Sequence, residues 1–472
     1  MRLSVSLRIR KPRYCLLLLG VAAATTLSSF PAWGNSQSPQ SEDSVRAVIS
    51  DPSHQDAPGC IAGSFAHGRP TSIVAQGYAD LDARRMIDSD TQFYAASISK
   101  QFTALAAATL IVDGKLSLDD DVRRYLPELP AYRAPVTVGM LMHHSSGIRD
   151  SLGLLRMTGM DNVGQASKEE ALQLLFRQND TSLVPGTAYR YSNGGYLLLA
   201  EIVERVSGMA FADYANQAIF KPLGMRSAYF LNGGAPRPGA FAHGYVPEGS
   251  GFAMRDTFPR FSGSGGLMIS MNDFARYVDD IDRVHRVWTP EIAKILLTPG
   301  RYTDGSPVED GAGLGYGGGL HLGERGGERI VQHTGSAEAF KHAFLRFPDR
   351  GEIFVVFCNR GDWTASEKLK RIVVASGSSY PGMPLIQPTG LFHSDELDAD
   401  YRLKPEGDGL RADISSSISK STTTLHFVPK DDGRFHAGTM TVTPTDDASR
   451  ILVKRGDIGE LLFTRVGEGG AN

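Results

Sequence analysis

The chain has 472 residues, 41% of them hydrophobic and 21% charged, with 52 glycines. That length exceeds what one ordinary core absorbs, so two folded units are expected, and the composition is that of an average soluble protein with many tight turns. Five of the 49 basic residues and none of the 52 acidic ones fall in the first 34, which leaves 44 against 52 beyond them, a net of −8 that disfavours nucleic acid and anionic membranes as partners.

The first 34 residues read as an export signal. Arg2, Arg8, Arg10, Lys11 and Arg13 precede an apolar run from Cys15 to Leu27, and Ala32 and Gly34 are small residues spaced like a cleavage site. The run is too short to span a bilayer comfortably, so no stable membrane span is expected after cleavage, and a periplasmic or secreted protein follows. Cys15 opens the apolar run without small residues before it, unlike a lipoprotein site. Residues 35–56 read as a linker. Beyond the signal only Cys60 and Cys358 remain, in "GCIAGSF" and "EIFVVFCN"; the two could pair in an oxidising compartment or stay as buried thiols, and neither suggests a metal site.

Strands are expected at Cys60–Phe65 and Ser72–Gln76, joined by the turn-forming "HGRP". "SISKQFTALAAATLIVDGK" predicts a helix stopped at Gly114, and helical segments follow to about Lys221. Strands return at "YGGGLHL", "HAFLRFP" and "EIFVVFCN". This order predicts an α+β unit, a mixed sheet with an inserted helical region, over 57–375. The Gly/Pro/Ser-rich stretch 376–390 reads as a linker, and 391–468 as a small antiparallel β-barrel or sandwich made of short alternating runs.

The tetrapeptide Ser-Ile-Ser-Lys occurs twice, at Ser97–Lys100 and Ser417–Lys420. In the first copy the serine opens a helix, where residues three apart share a face and the helix N-terminus favours negative charge. In the second the surroundings are strand-like, and an offset of three along a strand separates the side chains; if the stretch is a loop, it is an exposed turn. Ser97 and Lys100 are therefore the candidate nucleophile and its proton acceptor, against the plainer reading of Ser97 as a helix cap. "YRYSNGGY" places Tyr191 and Asn193 in a Gly-bounded turn before a helix; a tyrosine beside an ammonium loses its proton more readily and could act as general base. "VQHTGS" puts His333, Thr334 and Gly335 at a strand end, where a donor, a hydroxyl and a closely approaching backbone could line a cleft.

Taken in order, "DTQFYAASISKQFTALAAATLIVDGKLSLDDDVRRYLPEL", "VTVGMLMHHSSGIRD", "YRYSNGGY", "SGGLMISMNDFARY" and "VQHTGS" resemble the serine β-lactamase and penicillin-binding-protein-like hydrolases. The resemblance is nearest the branch of class C β-lactamases, D-aminopeptidases and esterases, and runs from about Ala57 to Val374. It implies a β-lactamase/transpeptidase-like domain in which Ser97 forms an acyl-enzyme, Lys100 and Tyr191 move the proton, and Asn193, His333, Thr334 and Gly335 bind substrate. The backbone N–H groups of Ser97 and Ser336 would hold the oxyanion, and His144 matches a turn-shaping position. The family's sheet brings its first and last strands together, and with them Cys60 and Cys358.

Many members of the family carry lysine where this chain has His333, and that lysine helps bind a substrate carboxylate. A histidine is mostly neutral at neutral pH, and lowering the pH toward 6 is expected to restore part of that affinity. The expected activity is an exported serine hydrolase acting on an amide or ester, either a D-amino-acid-containing peptide (a cell-wall peptide among them) or a small acyl ester, without cofactor or metal. A class C-like β-lactamase or DD-carboxypeptidase, and a non-catalytic envelope binding or sensing module, are the alternatives. No G-x-S-x-G elbow or HExxH motif is present to suggest an α/β-hydrolase esterase or a metalloenzyme.

Overall fold

The computed structural model describes residues 39–466, apart from 52, 55, 240, 379, 381–387, 408, 430–433, 445–448 and 457–460. The expected export signal and the middle of the expected 376–390 linker lie outside the described residues. Where a linker is expected, Pro39–Ile49 instead form a helix, α1. Val45 and Ile49 are buried in an apolar cluster against the sheet, and burying them orders the segment.

The sheet has seven antiparallel strands, labelled with the main helices in chain order: β1 (Cys60–Ala66), β2 (Arg69–Gln76), β3 (Gly315–Tyr316), β4 (His321–Arg325), β5 (Glu328–Ala337), β6 (Phe340–Phe347) and β7 (Glu352–Cys358). Their spatial order is β3-β4-β5-β6-β7-β1-β2. Both faces are covered, which is why β7 reads "EIFVVFC", apolar throughout rather than alternating. Ile353, Val355 and Phe357 face the helical body, while Phe354, Val356 and Cys358 face the cluster containing α1 and a helix at Ala365–Ala375.

Within the helical body, α2 (Ser99–Val112) is buried on nearly every side. Its run of alanines lets α4 (Asn193–Ser207) pack closely against it. Between them in sequence, α3 (Ser151–Met157) starts at an Asp150 cap whose carboxylate accepts from the Gly153 N–H.

The C-terminal strands, from Gly390–Ser394 to Leu461–Val466, form a closed eight-stranded antiparallel barrel. The pairing Leu391↔Val466 joins last strand to first, which decides for a barrel over a sandwich. Phe392, Leu403, Leu410, Phe427, Phe435 and Phe463 fill its interior. The second Ser-Ile-Ser-Lys copy sits in an exposed turn between strands Gly409–Ser416 and Thr423–Pro429, so its serine and lysine are not on a strand. Ser417 donates its hydroxyl proton to the Asp398 carboxylate, and Lys420 has a φ of +50°.

β1 and β7 are neighbours in the sheet, and their register sets Cys60 directly opposite Cys358, where the two form a disulfide. Protein lacking residues 1–34, denatured without reductant, should therefore show no reactive thiol and gain two after reduction. Titration with a chromogenic disulfide reagent that finds two thiols before reduction would exclude the bridge.

Candidate active site

Ser97 lies in a single 3-10 turn, Ala96–Ile98, that runs directly into α2. The residue before it, Ala96, has a φ of +47°, a conformation that costs a non-glycine residue about 1–3 kcal/mol and needs outside support. That support comes from both sides. Phe93–Tyr94 pair with Leu267–Ile269, and the Ala95 N–H donates to the Leu267 carbonyl at 2.8 Å. From the sheet, His342 accepts the Cys358 N–H on Nδ1, so its Nε2–H donates to the Tyr94 carbonyl at 2.8 Å.

Lys100 is the centre of the site and is 0% exposed. Its Nζ lies 3.1 Å from Ser97 Oγ, 2.9 Å from Asn193 Oδ1 and 2.9 Å from the Ser264 carbonyl oxygen. Burial pushes the ammonium down to about 7, with the Asp150 carboxylate partly opposing the fall. The neutral amine retains two N–H bonds for the fixed acceptors Asn193 Oδ1 and Ser264 O, and its lone pair is then left for the Ser97 hydroxyl. Sequence reasoning missed two of these supports. Ser264 reaches Lys100 because the "SGSGG" loop at 262–266 bends closely around α4, with Gly263 at φ +121°, where a Cβ would sit 2.6 Å from the Tyr196 carbonyl oxygen. The glycine run was its only signal. Asp150 accepts from both the backbone N–H and Nδ2 of Asn193, at 2.9 and 2.7 Å, which fixes the amide so that Oδ1 faces Lys100.

The Lys100 amine lies 4.7 Å from the centre of the Tyr191 ring, and burial pushes the phenol up from its ordinary value, with the Ser97 hydroxyl only partly opposing. Burial thus favours the neutral phenol at Tyr191, and of the two groups Lys100, pushed down to about 7, is the closer to losing its proton at neutral pH. His144 braces Tyr191: at φ +57° its ring packs tilted, 4.2 Å between centroids, against the Tyr191 ring, and its Nδ1 accepts the Ser192 N–H.

His333 and Gly335 share the face of β5 that looks toward Ser97; a Cβ on Gly335 would lie 2.7 Å from the Ala95 carbonyl oxygen. His333 is only 3% exposed. Its Nδ1–H donates to the Thr334 carbonyl at 2.7 Å, so Nε2 accepts from the Tyr316 hydroxyl at 2.9 Å. Burial, His321 and Lys100 all push its pKa well below the ordinary value. Burial and these partners thus favour the neutral imidazole, against the expectation that pH 6 would charge it. Thr334 is corrected as well. It pairs with Ala343, which faces α1, so its hydroxyl lies on the far side of the sheet from Ser97. Ser336 alternates the same way, yet it borders a cavity of about 100 Å³ that is also bordered by Ser97, Asn193, Tyr94 and Ser264. Among the described residues no three His, Cys, Asp or Glu side chains are grouped to hold a metal ion, and no helix is long and apolar enough to cross a membrane.

A buried lysine amine against a helix-start serine, with a tyrosine beside it, is the arrangement of an activated serine hydrolase on a β-lactamase/transpeptidase fold. The chain belongs to the beta-lactamase family, whose model matches residues 45–378, and it is a serine hydrolase. It is 31% identical over 394 residues to a D-aminopeptidase of Cereibacter sphaeroides, covering 82% of this chain and 73% of that one. Among solved structures it resembles the octameric penicillin-binding protein homologue of Pyrococcus abyssi, with a TM-score of 0.62, 23% identity, and 86% and 96% of the two chains covered. It also resembles the D-amino acid amidase of Ochrobactrum anthropi SV3 complexed with D-phenylalanine, with a TM-score of 0.59, 22% identity, and 71% and 98% covered.

With Lys100 as proton acceptor, kcat/KM for a neutral ester should rise with pH through about 7 and then level, since the ammonium form below that pH has no lone pair for Ser97. Asp150→Asn keeps an acceptor at the α3 cap but removes the charge that raises the Lys100 pKa, so this limb should move to lower pH. A pH–rate profile with no inflection between 6 and 8, or one moved upward by Asp150→Asn, would contradict the assignment.

Proposed function

We propose that the protein is an exported hydrolase that cleaves the amide bond of D-aminoacyl amides and peptides, and also short acyl esters, through an acyl-enzyme on Ser97. The observation that carries this reading is the 3.1 Å approach of the Lys100 amine to Ser97 Oγ in a site where burial holds that amine near neutrality. In the acylation step Oγ bonds to the substrate carbonyl carbon as its proton passes to Lys100 Nζ. The carbonyl electrons move onto oxygen, toward the backbone N–H groups of Ser97 and Ser336. When the tetrahedral adduct collapses, the C–N bond breaks and the nitrogen leaves with a proton from Lys100 or from the neutral Tyr191 phenol. Water then attacks the acyl-enzyme carbonyl as one of its protons passes to the Lys100 amine; when that adduct collapses the C–O bond to Ser97 breaks, the acid leaves, and Oγ takes its proton back from Nζ. Asn193 keeps one Nδ2 hydrogen for the substrate's amide carbonyl after donating the other to Asp150.

The names of the relatives support an amide substrate carrying a D-residue. The neutral, enclosed His333 argues against a substrate whose carboxylate must be held there, as in cephalosporins or peptides ending in D-Ala-D-Ala. The Cys60–Cys358 disulfide supports the export reading, because reducing compartments keep such thiols free.

Intact-protein mass spectrometry after fluorophosphonate treatment should find one adduct on wild type and on Ser417→Ala, and none on Ser97→Ala. Lys100→Ala should slow ester acylation by ~100- to 10,000-fold. In a substrate panel, a D-alanine anilide or short ester should have a higher kcat/KM than any cephalosporin, at pH 6 as well as at pH 7.5. A faster cephalosporin would make the enzyme a β-lactamase.

A further inference from the structure

The cavity beside Ser97 is walled in part by two segments that pack on each other, 161–165 and 257–260, and that wall has two sides. Val163, Thr257 and Pro259 border the cavity, whereas their neighbours Asn162, Gly164 and Arg260 border a second, open cleft of about 950 Å³. The wall is thin where the segments meet: a Cβ on Gly164 would lie 2.7 Å from the Phe258 carbonyl oxygen. The Phe258 ring in turn stacks 4.2 Å from that of Tyr94, three residues before Ser97.

Arg260 sets this cleft apart. Its Nε is buried without a hydrogen-bond partner, and among the described residues its guanidinium makes no ion pair. A charged donor left without an acceptor is a bond that an anion would complete. The other cations of the cleft are already matched. Lys168 Nζ lies 3.1 Å from Glu201 Oε2 and 2.5 Å from Glu204 Oε2, and Arg205 donates to Glu201 Oε1 at 3.0 Å and to Glu128 Oε2 at 2.9 Å. Glu169, exposed in the first turn of the helix Lys168–Phe176, makes no ion pair with Arg260 and leaves it unneutralised. Asn162 adds a second donor to the cleft: its Oδ1 accepts the Gly164 N–H at 2.9 Å, so its Nδ2 hydrogens stay available to a ligand.

We infer that the cleft is a subsite for a carboxylate, with Arg260 as the cation that holds it. The inference deepens the proposed function and rests on its acyl-enzyme step. The leaving nitrogen must face Lys100 and Tyr191, which return its proton; neither borders the cavity, so the cavity receives the acyl part of the substrate. At about 100 Å³ it accommodates a small group, and a longer acyl chain continues over the 161–165 rim into the cleft. A carboxylate at the far end of that chain meets Arg260. His333 does not border this cavity, so the carboxylate held here is distinct from one that a cation at position 333 would bind. The same group can also arrive on a separate small acid, and the experiment tells the two sources apart.

The test measures kcat/KM for the mono-p-nitrophenyl esters of adipic, suberic and sebacic acid against the corresponding methyl p-nitrophenyl diesters, which lack the charge. Wild type should prefer the free acid by roughly ten- to a hundred-fold at one of these lengths, the range of a charge-assisted hydrogen bond, and added salt should shrink the preference. Arg260→Gln should bring the ratio near one, and Arg260→Lys, which keeps the charge but not the fork, should retain part of it. If the carboxylate comes on a separate molecule, no ester is preferred, but free suberate changes p-nitrophenyl butyrate hydrolysis saturably in wild type and not in Arg260→Gln; that result keeps the subsite and assigns its source. Fluorophosphonate labelling of Ser97 tests the acyl-enzyme independently, so a labelled wild type that shows neither effect overturns this inference alone. A preference that survives Arg260→Gln in protein with an unchanged circular dichroism spectrum overturns it as well, and moves the role to Arg156, which borders the cavity itself.

Discussion

An amine removed from water must either find a partner for every hydrogen or give one up, and the site is built around that constraint at Lys100. Three segments far apart in sequence converge on Nζ: the turn carrying Ser97, the start of α4 with Asn193, and the glycine loop carrying the Ser264 carbonyl. The charged form has all three hydrogens satisfied but is disfavoured by burial, while the neutral form keeps two hydrogens placed and turns its lone pair to Ser97. The balance is close enough that one carboxylate, Asp150, counts. Asp150 both raises the Lys100 pKa and fixes the Asn193 amide that Lys100 uses, so one side chain tunes the base and orients its partner.

The remaining walls keep that balance from being upset. Tyr191, His144, Tyr196, Tyr316 and His333 surround the amine with rings, and burial holds the ionisable ones in their neutral forms. A second cation beside Lys100 would push its pKa further down, and an anionic phenol would push it up, so the neutrality of the shell is part of the acid–base machinery. The sheet contributes through His342. It links the backbone of β7, at the disulfide, to the Tyr94 carbonyl three residues before the nucleophile.

Much of this was legible where the physics is local. Ser97 and Lys100 could be read as one pair because three residues along a helix is one turn, and the first copy of the tetrapeptide runs into an Ala-rich helix; the second, read as strand-like, lies in an exposed turn instead. β7 was readable because a strand covered on both faces must be apolar throughout. What resisted reading depends on tertiary placement. A carbonyl such as that of Ser264 leaves no side-chain signature, and Asp150 looks like any cap until α4 arrives beside it. The side-chain direction of Thr334 follows from strand register, which was not in view when "HTG" was read as a unit, and α1 was passed over because its polar residues outnumber the few that it buries.

His333 shows how one substitution can redirect recognition without touching the nucleophile. A lysine at that point would bring a cation toward the cleft; the histidine instead turns its two nitrogens to Thr334 O and to the Tyr316 hydroxyl and joins the neutral floor. Charging it would require giving up the Tyr316 bond as an acceptor and placing a second cation near Lys100, both in a site closed to water. The floor therefore favours an uncharged side chain at this position and presents no cation to a carboxylate there.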